Sequence, residues 1–257
     1  KSVPRNQKFK LTFKKYLLLY LVNNLSLIIP LYNEEKRLQK KLKIIQNFLS
    51  KRKNTEVIFV NDGSNDNSDM IIKNFITKIK NKKLIKYISY KKNIGKGYAV
   101  KKGVLKSKKK WILICDVDMS VKPDQINDWS KKKYISNNNK AYFASRKHSL
   151  SMIETSIIRK MLGIIFNLMV YTLFNIKIKD TQCGFKLFNQ TYAKSVFKKI
   201  SSYRFSFDVE LVLILRKKNI KIIELPVNWI HKTGSKLNIF YDMPIMFLDI
   251  LKIKLKN

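Results

Sequence analysis

Short, largely apolar runs alternate along this chain with stretches whose apolar residues recur at helical spacing. Leu25-Ser26-Leu27-Ile28-Ile29 is followed by a polar turn and then by Leu38, Leu42, Ile45 and Leu49, while Val57-Ile58-Phe59-Val60 is followed by Asp62-Gly63-Ser64 and then by Ile71, Ile72, Phe75 and Ile79. A third unit leads from Ile85 to Tyr90 through Gly95-Lys96-Gly97 into a helix carrying Val100 and Val104; Trp111 to Cys115 adds a fourth strand and Tyr142-Phe143-Ala144 a fifth. Strands this short and this apolar are buried on both faces, and their alternation with helices predicts an α/β fold built on a mostly parallel sheet. Pro30 is expected to close the first strand and Asn33 to cap the first helix. Ligands of such sheets gather at the carboxyl ends of the strands. Tyr32, Asn33, Asp62, Asp116 and Asp118 all fall just after a strand, so the pattern sets them on one rim.

At 257 residues the chain suits one domain with a full core. Its formal net charge of +37, from 54 Lys plus Arg against 17 Asp plus Glu, favours an anionic partner. The lysines are spread over every segment while the acids collect after strands, the reverse of a groove-binding footprint, so no nucleic acid is expected. Cys115 and Cys183 lack metal-ligand spacing, which argues against a disulfide framework or a zinc site. Tyr16 to Val22 is far shorter than the roughly 20 apolar residues of a spanning helix. Ile157 to Ile178 is long and apolar but broken by Arg159, Lys160, Asn167 and Asn175, as in an interfacial or half-buried helix. Leu237 to Lys256 sets Ile239, Phe240, Met243, Met246, Phe247, Ile250, Leu251 and Ile253 among lysines, a pattern common to a core-packing helix and to one lying on an anionic membrane.

Asp116-Val117-Asp118 is the strongest chemical signal. Alternate side chains of extended backbone share a face, so both carboxylates can address one ion. Mg²⁺ or Mn²⁺ takes one or two carboxylates together with substrate phosphates, and supplies charge to a departing diphosphate. Asp62-Gly63-Ser64 also reads as an ordinary turn, Gly95 and Gly97 as aids to close packing, and Asp208 and Glu210 as helix-capping or ion-paired acids. His148 and His231 read as surface residues, and no nucleophile–base pair is evident.

Five blocks carry a family resemblance: Pro30-Leu31-Tyr32-Asn33-Glu34-Glu35, Asn61-Asp62-Gly63-Ser64, Asp116-Val117-Asp118, Asp180-Thr181-Gln182-Cys183-Gly184-Phe185-Lys186-Leu187-Phe188, and Phe207-Asp208-Val209-Glu210-Leu211. From about Leu25 to the C-terminus the chain resembles the family-2 glycosyltransferases of the GT-A fold, most closely the dolichyl-phosphate beta-glucosyltransferases. The resemblance implies a membrane-proximal segment over 1–24, a GT-A catalytic domain over 25–236 and an amphipathic membrane-interface helix over 237–257. It implies that Pro30, Tyr32, Glu34, Asp62, Lys96, Asp116 and Lys236 bind the nucleotide sugar, with Asp118 as metal ligand and Asp116 near the ribose. Arg146, Ser145 and Arg159 would hold an acceptor phosphate. Asp180, Gln182, Gly184, Lys186 and Glu210 would line the site, and Asp208 would serve catalysis beside Asp118 and the two arginines. Asn61 stands where an Asp is usual.

The reaction implied is transfer of glucose from UDP-glucose to dolichyl phosphate at the cytosolic face of the endoplasmic reticulum membrane, for protein N-glycosylation. A phosphate monoester has a second pKa near 6, so this acceptor is already a nucleophile at neutral pH. Two rivals are a dolichyl-phosphate mannosyltransferase using GDP-mannose, and a basic membrane- or nucleic-acid-binding module in which the acids are structural.

Overall fold

The computed structural model describes residues 24–136, 138–154, 157–230 and 239–256, with the side chains of 157–160, 162, 239–243 and 256 outside that description. In chain order the elements are β1 (Leu25–Leu31), α1 (Glu35–Ser50), β2 (Thr55–Asn61), α2 (Ser68–Lys78), β3 (Ile85–Ser89), α3 (Lys96–Lys106), β4 (Trp111–Ile114), α4 (Gln125–Lys131), β5 (Lys140–Ala144), β6 (Met152–Glu154), α5 (Ile157–Phe174), β7 (Lys186–Asn189), α6 (Gln190–Lys199), α7 (Phe207–Lys217), β8 (Lys221–Leu225), β9 (Asn228–Ile230) and α8 (Ile239–Lys256). Seven strands form one sheet in the order β3-β2-β1-β4-β7-β5-β8, and β6 and β9 make a parallel pair apart from it.

The central strands β2, β1, β4, β7 and β5 are buried on both faces, as their apolar residues require, while the edge strands β3 and β8 are half-buried. Leu25, Leu27 and Ile29 of β1 meet Leu38 and Ile45 of α1 and Ile72 of α2 on one face. Ile28 of β1 turns to the other, against Val100 and Val104 of α3, Val196 of α6 and Leu211 of α7. Each such side chain removed from water contributes about 1.5–3 kcal/mol before the entropy of ordering it is counted.

Three local features depart from the sequence reading. The first strand runs through Pro30, which pairs with Val60 of β2. Pairing of β1 with β4 ends at Ile28, so Pro30 lies where one edge of the strand carries no ladder bonds and a missing N–H is tolerated. Asn33, at φ 51°, does not cap α1: its side-chain oxygen accepts from Asn65 N and its own N–H donates to Ser64 Oγ, tying the first loop to the second. The third is β7, which the sequence reading did not mark as a strand. It enters antiparallel between β4 and β5, with Lys186 opposite Ile114.

In α5, Phe166, Val170 and Phe174 face the core at helical spacing while Met161, Ile164, Ile165, Leu168 and Tyr171 are exposed. In α8, Met246, Ile250 and Ile253 are buried and Phe247, Leu248 and Leu255 exposed, so the tail helix both packs on the core and shows an apolar face. No helix among the described residues is long and apolar enough to cross a membrane. The Tyr16–Val22 run, His231 and Lys236 lie outside the described residues.

Candidate active site

The carboxyl ends of β1, β2 and β4 open on the same rim, and Asp116 is the residue around which that rim closes. Lys96, the first residue of α3, holds Asp116 Oδ1 at 2.7 Å. The other oxygen faces Gly184, where an added Cβ would fall 2.0 Å from Oδ2. Antiparallel entry of β7 beside β4 is what brings the 180–185 segment so near, and only a residue without a side chain fits there. Asp118 accepts a 2.8 Å bond from Ser120 N through Oδ1, which leaves its second oxygen for another partner. Burial opposes the charge on Lys96, but Asp116, Asp208 and Asp118 outweigh it and hold the ammonium above its usual pKa.

The glycines flanking Lys96 serve close packing, as one of the sequence readings had it. Gly95, at φ 128°, passes so near the 203 backbone that a Cβ would meet Tyr203 O at 2.4 Å, and one at Gly97 would lie 2.7 Å from Phe207 Cβ. Asp62 organises the same turn. Its Oδ1 accepts from Tyr90 OH and Ile94 N, and its Oδ2 from Asn93 Nδ2 and Gly95 N, at 2.7 to 3.0 Å. Burial nevertheless raises its pKa against the pull of those donors. Asn61 is buried with its amide donating to Tyr87 OH and Ser89 Oγ, and Tyr87 OH in turn donates to Asp69. An Asp at position 61 could not donate to either hydroxyl, which gives the unusual amide a local reason.

Downstream, the 180–188 segment anchors two more charged residues. Asp180, almost wholly buried, accepts from Arg146 Nε at 2.7 Å, from Nη2 at 2.8 Å and from the Arg146 backbone N–H at 2.8 Å. Burial would raise the Asp180 carboxyl, yet the guanidinium holds it below its ordinary value. The Arg146 guanidinium also lies 5.8 Å from the Trp229 ring. Lys186, fully buried, reaches Asp208 Oδ1 at 2.8 Å and Cys183 O at 2.7 Å. Burial raises the Asp208 carboxyl, with Lys186 and Lys96 acting against it. Glu210 accepts from Ser201 N, Ser201 Oγ and Ser202 N, shaping the loop before α7. Ser145 Oγ and Thr181 Oγ1 are buried hydroxyls without a hydrogen-bond partner among the described residues.

Pro30 is buried at the end of β1, Tyr32 and Gln182 are partly exposed on the rim, and Glu34 is buried against Arg37. Arg159 lies in the first turn of α5 with its side chain outside the described atoms, and Lys236 lies outside the described residues altogether. Sequence reasoning missed Arg37, whose guanidinium is drawn to Asp118 and Asp116 as well as bonded to Glu34. The available signal was its place three residues after Glu34, just beyond the first nucleotide-binding block. It also missed Tyr90 and Asn93, which hold Asp62. Cys115 and Cys183 are free and buried; burial pushes both thiols up, Cys183 to about 12, so neither provides a thiolate near neutral pH.

Residues 26–197 match the model of glycosyl transferase family 2. The chain belongs to that family. It is 35% identical over 243 residues to a dolichyl-phosphate beta-glucosyltransferase of Dictyostelium discoideum, covering 90% of this chain and 74% of that one. Its identity to the Homo sapiens protein of the same name is also 35%, over 90% and 75% of the two chains. In fold it is similar to glucosyl-3-phosphoglycerate synthase from Mycobacterium tuberculosis crystallised with Mn²⁺, UDP-glucose and glycerol 3-phosphate, with a TM-score of 0.62 at 11% identity, over 91% of this chain and 79% of that one. A mannosyltransferase from Pyrobaculum calidifontis in complex with GDP-Man and Mn²⁺ gives a TM-score of 0.59 at 12% identity, over 89% and 64%. These likenesses place the family-2 chain on the GT-A scaffold, and both of these solved structures hold Mn²⁺ with a nucleotide sugar.

Proposed function

We propose that this family-2 glycosyltransferase moves glucose from UDP-glucose to dolichyl phosphate with inversion at the anomeric carbon, giving dolichyl beta-D-glucosyl phosphate and UDP. The observation that carries the reading is the rim itself, where Asp116, Asp118 and Lys96 sit at strand ends beside the segment that anchors Arg146. Relatives that bear this activity in their name and cover nine-tenths of the chain support the choice of sugar and acceptor.

The donor set suits a divalent cation, because Asp118 keeps an oxygen in hand and Asp116 stands two residues away on the same rim. These two residues would hold Mg²⁺ or Mn²⁺, which when bound supplies positive charge to the leaving diphosphate. Lys96, at the start of α3, binds the same diphosphate. Pro30 at the end of β1 and the Tyr32–Glu34 loop take the base, Asp62 contributes by fixing the Asn93–Gly95 turn, and Lys236 adds charge to the phosphates. Asp180 grips Arg146 through Nε and Nη2, which among the described residues leaves Nη1 for an acceptor phosphate oxygen; Ser145 and Arg159 complete that subsite. The dianionic acceptor needs orientation rather than a base, and fixed donors provide it. Asp208 stays buried against Lys186 and fixes the head of α7 beside Lys96. The exposed apolar residues of α5 and α8 support contact with a membrane surface, in keeping with a lipid acceptor and a place on the cytosolic face of the endoplasmic reticulum.

The deciding assay measures UDP or GDP released by the purified chain from a panel of nucleotide sugars, with and without dolichyl phosphate. Release of UDP from UDP-glucose only when dolichyl phosphate is present is expected, with loss of turnover in Asp118→Asn. Arg146→Ala should raise the KM for dolichyl phosphate far more than it weakens UDP-glucose binding. Faster transfer from GDP-mannose would overturn the glucosyl assignment, and full metal-dependent activity in a folded Asp118→Asn would overturn the metal site.

A further inference from the structure

Asp116 is committed through one carboxylate oxygen and crowded by backbone at the other. Oδ1 holds the Lys96 ammonium at 2.7 Å, and Oδ2 presses on Gly184 so closely that a methyl group would fall 2.0 Å away. Asp118 is less committed, with one oxygen on the Ser120 N–H. A divalent cation arriving at this rim in the free protein therefore meets one carboxylate already neutralised and a like charge beside it. Among the described residues Lys96 pairs with Asp116, while Asp208 and Asp118 attract it from farther off. Its side chain is 22% exposed, so the ammonium has room to turn towards an incoming anion.

We infer that Lys96 is the internal counter-ion of Asp116 in the free enzyme, and that the nucleotide diphosphate releases it, so nucleotide and divalent cation bind with positive coupling and the nucleotide leads. The inference rests on the metal-assisted transfer proposed above. A diphosphate offers the ammonium more negative charge than one carboxylate does. Once Lys96 turns to it, Oδ1 opens, and a cation can use Asp116, Asp118 and phosphate oxygens together. The carboxylate site is then a minor state of the free protein, and whatever removes Lys96 lifts that penalty on metal binding. Reciprocity requires the metal to tighten nucleotide binding by the same factor.

The test follows Mn²⁺ binding to the full chain through the electron paramagnetic resonance signal of free Mn²⁺, with and without UDP, for wild type, Lys96→Met and Lys96→Arg. Lys96→Met should bind Mn²⁺ without nucleotide about tenfold more tightly than wild type and gain less from UDP, an ordinary size for coupling between two ligands. Lys96→Arg keeps the charge and should behave as wild type. Equal or weaker Mn²⁺ binding by folded Lys96→Met in the absence of UDP would overturn the counter-ion role. If Lys96→Met does not fold, wild type decides: UDP must tighten Mn²⁺ binding beyond the affinity of Mn²⁺ for UDP in solution, and tight binding that ignores UDP sinks the inference while leaving metal-assisted transfer standing. Absence of Mn²⁺ binding in every protein, with UDP or without it, removes the metal reading and this inference together.

Discussion

Gly184→Ala is the smallest change that should disable the site, and its size can be worked from the contact it disturbs. The new Cβ would lie 2.0 Å from Asp116 Oδ2 and 2.3 Å from its Cγ, where real Cβ atoms stay beyond 3.0 Å. The carboxylate or the 180–185 backbone must therefore yield by about 1 Å in a close-packed interior. Gly184 is not in the left-handed region, so the substitution adds bulk without backbone strain. A shift of that order takes Asp116 off its 2.7 Å contact with Lys96. Misplacement by about 1 Å can cost about 100-fold in rate, equivalent to roughly 2.7 kcal/mol in the barrier. Overpacking of this kind costs a further 1–3 kcal/mol or so in stability. The assay is the initial rate of UDP release from UDP-glucose with dolichyl phosphate, run beside a thermal melt. Gly163→Ala in α5 is the matched control: a Cβ there meets nothing within 4 Å, and removing a helical glycine should stabilise by about 0.5–1 kcal/mol. Gly184→Ala with a rate within about threefold of wild type, well under one kcal/mol in the barrier, would refute the reasoning.

Asp180→Asn should cost about 2–3 kcal/mol near neutral pH, since it breaks a pair whose acid is buried while Arg146 is a third exposed. The folded Asp180 carboxyl titrates below its ordinary 3.8, so the stability it contributes is present above that value and is lost as pH falls through the folded pKa. The gap between wild type and Asp180→Asn in urea melts should thus be constant at neutral pH and close in acid; a gap that widens in acid would refute the pairing. Lys186→Met strands a buried Asp208 and should cost about 3 kcal/mol or more, with part recovered by adding Asp208→Asn, and a single variant as stable as wild type would contradict this. Ile164→Lys with Leu168→Lys alters side chains that are 57% and 61% exposed, so melting should hardly change while cosedimentation with anionic liposomes falls; unchanged cosedimentation would remove α5 from the membrane contact.

The sequence by itself determined the parallel half of the sheet. Apart from Ser26, the runs Leu25 to Ile29, Val57 to Val60 and Trp111 to Cys115 are apolar without alternation, which suits strands buried on both faces, and the residues that follow them then share the rim. Asp62, Asp116, Asp118 and the start of α3 were legible for that reason. What became of their charges was not. Hydrophobic period reports how deeply a strand is buried but neither its neighbour nor its direction, so the antiparallel placement of β7 between β4 and β5 had no signature in Lys186-Leu187-Phe188. That one placement sets Gly184 against Asp116, carries Asp180 to Arg146 across 34 residues of sequence, and buries Lys186 on Asp208 across 22. Asp62 looked like a ligand for a base because its type and its place after β2 suit one; only the fold shows its acceptors spent on Tyr90, Asn93, Ile94 and Gly95. Burial pattern is a local property and survives in the sequence, whereas a charge's partner is fixed by which distant backbones the sheet brings side by side.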